Sequence, residues 1–202
     1  MRKPSSTRQR ILQEGLAVAS LAGFEGLTFG TLAERAHLSK SGLFAHFQSR
    51  DDLQKQILEE AQALFRHSVI EPAQQAPQGL PRLRALWSLW VGWAPRSGLP
   101  GGCPFVAAAV EVDDSEGPLR EHVEQSQLNW STLFQSVVEQ AIACDHLSQQ
   151  VDPQQFTWEA FGIYLVYHFS SRLLRDLQAE ERAHQAFERL VQSPPLLKEE
   201  LS

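Results

Sequence analysis

The sequence predicts an all-α fold, and three observations carry that reading. Apolar residues recur at helical spacing along nearly the whole chain, and no segment sustains the two-residue alternation of a strand. Two breaks rich in proline and glycine, PAQQAPQGLP (72–81) and PRSGLPGGCP (95–104), divide the periodic segments at helix-length intervals. No internal repeat interrupts this pattern.

The elements follow in order. Residues 7–22 place Ile11, Leu12, Gly15, Leu16, Ala19 and Ala22 on one helical face, with Gly23 as a stop signal. Thr28 caps a helix over about 29–36 that buries Phe29, Leu32 and Ala33, and Ser39 caps a second over about 40–46. Ser49 and Asp52 have capping-box spacing and open a long helix, about 49–71, with Leu53, Ile57, Ala61, Leu64 and Phe65 on one face. After the first break, Pro81 suits the first turn of an amphipathic helix over 81–94. Three prolines and three glycines preclude regular structure across 95–104. A short apolar helix at 105–112, the acidic turn DDSEGP, and helices over about 118–146, 153–177 and 180–192 complete the set. The tail SPPLLKEELS reads as frayed.

Charge locates the interaction surface. The net charge is −6, which taken as an average disfavours a polyanion as partner. Residues 1–50, however, hold seven Lys/Arg against three Glu, whereas the rest holds eleven against twenty-one acidic residues. A basic N-terminal quarter on an acidic body directs only the first part toward phosphates. That quarter contains two short helices joined by a tight turn, and the second presents Ser39, Lys40 and Ser41. Such a pair, offering polar and basic side chains on one face, is the shape that enters a DNA major groove.

Several classes are disfavoured. Cys103 and Cys144 match no metal spacing and imply no structural disulfide, so a reducing compartment is expected. The start MRKPSSTRQR lacks the apolar core of a signal peptide, and the longest apolar run, Phe161–Tyr167, stops at His168. A cytoplasmic protein without a membrane partner is expected. No metal or cofactor is expected either, since no HxxxH or HExxH spacing is present and His67, His122, His146 and His184 read as surface residues. An enzyme, such as a small transferase using Cys103, would need paired carboxylates, nucleophile–base spacing or a phosphate loop, and none is present.

Residues 7–55 resemble the TetR family of bacterial transcriptional regulators. The likeness lies in Ile11-Leu12, Ala22-Gly23-Phe24-Glu25-Gly26-Leu27-Thr28, Leu32-Ala33-Glu34-Arg35-Ala36, Leu38-Ser39-Lys40-Ser41-Gly42-Leu43-Phe44, His46-Phe47 and Ser49-Arg50-Asp51-Asp52-Leu53. It implies a three-helix DNA-binding domain over residues 1–50 and a helical effector-binding and dimerisation domain over 51–202. It further implies repression relieved by a small molecule. Beyond residue 55 the similarity is general, a Gly102-Cys103 pair opening a short helix that ends near Glu111 being its clearest trace.

The resemblance and the chemistry together nominate Thr28, Ser39, Lys40, Ser41, Gly42, Phe44, His46 and Arg50 as DNA contacts. Thr28 offers a hydroxyl and free amides to a phosphate, Lys40 a donor to guanine or phosphate, and Gly42 close backbone approach. His46 resembles the family's backbone-contacting histidine, and Arg50 replaces its usual lysine. Arg2, Lys3, Arg8 and Arg10 form a candidate arm, with simple terminal disorder as the alternative. Phe47 reads as core, whereas Phe44 reads equally as core or DNA-facing. Three departures stand out: Phe44 lacks the usual tyrosine hydroxyl, Ala45 replaces a frequent aromatic, and His37 occupies a turn position commonly glycine.

For the effector the candidates are Trp87, Trp90, Cys103, Phe105, Trp130, Phe134, Phe161, Tyr164 and His168. Each aromatic ring taken singly reads as core packing before pocket wall. His168 is a polar handle or a satisfied core histidine, and Cys103 a redox or electrophile sensor or a small buried hydrophobe. A second domain that binds a protein instead of a small molecule is a further alternative.

Specific recognition requires two half-sites, since one short helix reads only a few base pairs. Residues 158–177 carry apolar groups around most of the helix, and Gly162 and Ser170-Ser171 permit close approach of a partner. With Ala183, Ala186, Phe187, Leu190 and Val191 they form a candidate four-helix interface in a homodimer built from the last two helices. Burial within one subunit is the alternative. The combined expectation is a homodimeric repressor of a palindromic double-stranded DNA operator, released by a small, largely apolar ligand of unknown identity.

Overall fold

A computed structural model describes residues 7–197, and every described element of regular secondary structure is helical apart from one isolated β-bridge. Arg2 and Lys3 of the candidate arm, and residues 198–202 of the tail, lie outside the described residues. The chain divides into two compact units, residues 1–65 with 94–127, and residues 66–93 with 128–202.

The first unit begins with α1 (Thr7–Ala22), α2 (Phe29–Arg35), α3 (Lys40–Phe44) and α4 (Arg50–Phe65). Ile11, Leu32, Leu43, Leu53 and Ile57 are buried on the faces that the helical period marks out, and Phe24 and Leu27 are buried from the turn between α1 and α2. Phe47 is buried, as expected, and Phe44 is 56% exposed, which resolves its two readings in favour of the surface. α7 (Trp93–Arg96) and α8 (Pro104–Val112) also belong to this unit, α7 all but its first residue, and α8 packs on α1 and α4. The segment expected to be irregular over 95–104 therefore includes the end of one short helical turn and the first residue of α8.

The second unit holds α5 (Glu71–Ala73), α6 (Leu80–Trp90), α10 (Pro153–Arg172) and α11 (Ala179–Gln192), with α9 (Pro118–Ala143) beginning in the first unit and ending here. α6 buries Leu83, Leu86, Trp87 and Trp90, with Pro81 in its first turn as expected. Asp152 caps α10 by accepting from the amides of Gln154 and Gln155, each at 3.0 Å. α10 and α11 pack side by side. No helix among the described residues is long and apolar enough to cross a membrane.

Several expectations need correction. The helix expected over 81–94 ends at Trp90, where Gly92 with φ 74° breaks it, and the one expected over 153–177 ends at Arg172. The helix expected to run unbroken over about 49–71 leaves α geometry at Phe65: Arg66–Ile70 is π-helical, and α5 then continues through Pro72. Proline lacks the amide a helix interior needs, but in the first turn of α5 no such bond is required. The tail is not frayed where it is described. Val151 pairs with Leu196 in an antiparallel bridge, and the Leu197 amide donates to Gln150 O at 2.7 Å. Sequence periodicity cannot register a two-residue pairing of this kind.

Candidate nucleic-acid interface and effector domain

The DNA-binding candidates sit on one helix pair because of local capping. The Thr28 hydroxyl accepts from the Thr31 amide at 3.1 Å, while Thr31 Oγ1 accepts from the Thr28 amide at 3.1 Å. This reciprocal box ends the extended approach to α2 and starts the helix. Ser39 repeats the device for α3, accepting from the Gly42 amide at 3.1 Å. Between them His37 takes φ 53°, the left-handed turn for which glycine is the usual choice. A histidine there costs some backbone energy, and the Leu38 amide nevertheless closes the turn on Ala33 O at 2.9 Å.

The result is an exposed polar ridge. Ser39, Lys40 and Ser41 are exposed at the start of α3, and the two serine hydroxyls lie 3.0 Å apart. Thr28 and Lys40 converge around Gly30, where a Cβ would stand 3.5 Å from Thr28 Oγ1 and 4.0 Å from Lys40 Nζ. Gly42 leaves its surroundings open except for Ser39 Oγ, 3.3 Å from such a Cβ. The Phe44 ring stacks on Phe29 at 4.2 Å, so an apolar plate borders the ridge. His46 is exposed beside it. Arg50 differs from the others: its guanidinium donates to Leu27 O at 3.3 Å and to Glu25 O at 3.1 Å. That main-chain task was not visible in the sequence, because it depends on where the α1–α2 turn passes.

At the entry to α4 the expected box forms with a shift of one residue. Ser49 Oγ accepts from the Asp52 amide at 3.1 Å, and Asp52 Oδ2 accepts from the Gln48 amide at 2.9 Å. The Gln48 amide and then the Gln56 side chain hold the Asp52 carboxyl below its ordinary range.

The effector candidates divide between the two units. In the second, Trp90 is the hub of an aromatic cluster. It stacks on Tyr164 at 4.1 Å and meets Trp130, Phe134 and Phe161 at 5.0, 5.7 and 4.9 Å. Trp87 stacks on Phe187 at 4.5 Å, and its buried indole nitrogen has no hydrogen-bond partner. His168 lies on α10 half-buried, and burial followed by the Arg172 charge lowers its pKa. Cys103 and Phe105 belong to the first unit instead, Phe105 meeting Phe65 edge-on at 5.8 Å. Cys103 is buried at the start of α8.

The interface candidates on the last two helices divide: α10 leaves apolar groups exposed, whereas most of those on α11 are covered within the protomer. Ala183, Phe187, Leu190 and Val191 are buried within the protomer, whereas Trp158, Leu165, Val166 and Phe169 are exposed along α10, and Leu173 and Leu174 just beyond its end. A Cβ built on Gly162 would meet nothing within 4 Å.

Capped short helices, a left-handed turn between them and a polar recognition ridge define a helix-turn-helix DNA-binding protein with a helical body. Residues 11–57 match the family described as bacterial regulatory proteins, tetR family, and residues 79–187 match the Tetracyclin repressor-like C-terminal domain. The chain belongs to the TetR family: it is a DNA-binding transcriptional regulator, not an enzyme. No curated protein matches it in sequence. Its fold is similar to a TetR regulator from Chloroflexus aurantiacus, with TM-score 0.84 and 22% identity over 95% of this chain and 97% of that one. A TetR-family regulator from Cytophaga hutchinsonii aligns with TM-score 0.81 and 15% identity over 98% and 100% of the two chains. AibR, solved with isovaleryl coenzyme A and operator DNA, aligns with TM-score 0.73 and 21% identity over 95% and 100%.

Proposed function

We propose that this regulator is a homodimeric repressor of a palindromic operator, released when a small, largely apolar ligand binds among the aromatic residues of its C-terminal domain. The observation that carries the reading is the pairing of an exposed polar ridge on α3 with an unpartnered apolar face on α10. The ridge suits a groove, and the face suits a second copy, which supplies the second half-site. Ser39, Lys40 and Ser41 read base edges or phosphates, Thr28 and His46 hold the backbone, and Gly42 and Phe44 make close apolar approach. Arg50 contributes charge to this surface while its guanidinium braces the α1–α2 turn.

An apolar effector is supported by the rings around Trp90, and the solved complex of AibR with an acyl coenzyme A and DNA shows that a similar fold accommodates both partners. The ligand acts by favouring a dimer whose recognition helices are spaced wrongly for the operator, because only differential affinity shifts the equilibrium. The burial of Cys103 favours this reading over electrophile sensing, since reactive thiols are partly exposed.

Selection from random duplex DNA, followed by release assays with apolar carboxylates and acyl thioesters, tests the whole scheme. Enrichment of a palindrome and its loss on adding ligand are expected. Recovery of no preferred sequence defeats the operator reading, and release by electrophiles alone transfers the signal to a cysteine.

A further inference from the structure

The turn between α1 and α2 exposes main-chain groups that no helix satisfies, and side chains from two distant elements take them. Gly23 adopts φ 71°, ends α1, and leaves the next two amides directed outward. The Glu111 carboxylate, on α8, accepts from the Phe24 amide at 2.7 Å and the Glu25 amide at 3.1 Å through the same oxygen. From α4, Gln54 Nε2 donates to Phe24 O at 2.8 Å, while Arg50 holds Glu25 O and Leu27 O.

The other end of α8's segment is fixed to α1 as well. The Gly102 amide donates to Ser20 O at 2.8 Å and the Gly101 amide to Ser20 Oγ at 3.2 Å. A Cβ on Gly101 would overlap the Ser20 carbonyl oxygen, so the approach is open only to glycine. Residues 101–111 thus grip α1 and its following turn at both ends.

The turn leads straight into the Thr28 cap and α2, on which α3 packs. Phe24 and Leu27 are fully buried and set the depth of the turn, but apolar burial is non-directional. Direction comes from the hydrogen bonds, and at the amides of Phe24 and Glu25 it comes from the Glu111 carboxylate. We infer that Glu111 is a positioning residue for operator recognition: from α8 it holds the α1–α2 turn on the path that aims the recognition helix. It acts through Phe24 and Glu25, not on DNA. This inference rests on the operator reading above.

The test uses the full chain and a site enriched with the wild type. Specific and non-specific affinities are measured at one salt concentration for wild type, Glu111→Gln and Glu111→Ala, with melting curves and amide exchange at Phe24 and Glu25. Glu111→Ala is expected to lower specific affinity about tenfold or more while non-specific affinity stays within about twofold. Glu111→Gln, which keeps an acceptor oxygen without the charge, should fall between, and exchange at both amides should quicken. A specificity ratio equal to wild type in folded Glu111→Ala overturns the inference, as does a parallel fall of both affinities, the mark of a merely unstable domain. If Glu111→Ala does not fold, Glu111→Gln decides by the same ratio. Failure of the wild type to enrich any site removes the operator reading and this inference together, which separates that failure from the others.

Discussion

Lys40 is the exposed cation of the α3 ridge, next to Thr28 and free of any acidic neighbour among its described contacts. Lys40→Ala should weaken specific binding by about 1–3 kcal/mol if the ammonium reads a base, whereas a phosphate contact should lower the salt slope by about one. Gel-shift titrations at several salt concentrations distinguish the two, and unchanged affinity removes Lys40 from the interface. Phe44 offers a gain-of-contact test, since Phe44→Tyr restores a hydroxyl to an exposed ring already held on Phe29. Operator affinity should rise by roughly 0.5–1.5 kcal/mol, the range of one net hydrogen bond. His168 predicts a pH effect. Its folded pKa is lowered, so the unfolded chain binds more protons near the ordinary histidine value. Its contribution is therefore complete above about pH 6.5 and is lost as pH falls below that value. His168→Gln should flatten this part of the melting temperature profile between pH 7 and pH 5. The caps at Thr28 and Ser39 and the burial of Phe47 were legible from residue type and spacing, because a cap is a local geometry. The carbonyls held by Arg50 were not, since Glu25 and Leu27 lie more than twenty residues away in sequence.

At the scale of elements, α10 and α11 present opposite outcomes from similar apolar patterns. Phe187 and Leu190 of α11 pack inward on the protomer, while Leu165 and Phe169 of α10 are left exposed. Replacing Leu165 and Phe169 together by glutamate should yield a folded monomer. Light scattering should show half the mass and circular dichroism an unchanged helix content, with specific DNA affinity lost. A dimer that survives the double change places the interface elsewhere. Phe187→Ala, by contrast, removes a ring stacked on Trp87 and should cost about 3–5 kcal/mol in denaturant unfolding. Periodicity gave both helices an apolar stripe, but a stripe does not say which neighbour covers it. The π-helical turn at Arg66–Ile70 was likewise invisible, because a change from i+4 to i+5 bonding leaves the residue pattern almost untouched.

For the molecule as a whole, the proposed release mechanism requires that ligand and operator compete through one equilibrium. A ligand that favours the released state must bind the operator complex more weakly by the same factor that it weakens operator affinity. Calorimetry with and without operator DNA checks that reciprocity. The same ligand at about 100 times its dissociation constant should add about 2.7 kcal/mol to stability, seen as a rise in melting temperature. Tryptophan fluorescence should report binding, since Trp90 and Trp130 stand in the aromatic cluster. A ligand that raises the melting temperature without altering this fluorescence binds outside the cluster.

The all-helical class, the helix-turn-helix and its basic setting were determined by the sequence alone. Each depends on near neighbours: helical spacing, caps within three residues, and charge gathered in one quarter of the chain. Only the tertiary structure decided that Phe44 is a surface ring, that α10 and not α11 keeps an open apolar face, and that Cys103 and Trp90 belong to different compact units. It alone brought Glu111 to the amides of Phe24 and Glu25, eighty-seven and eighty-six residues away. Those facts depend on which distant groups meet when the helices pack, and no periodicity along the chain encodes a single such meeting.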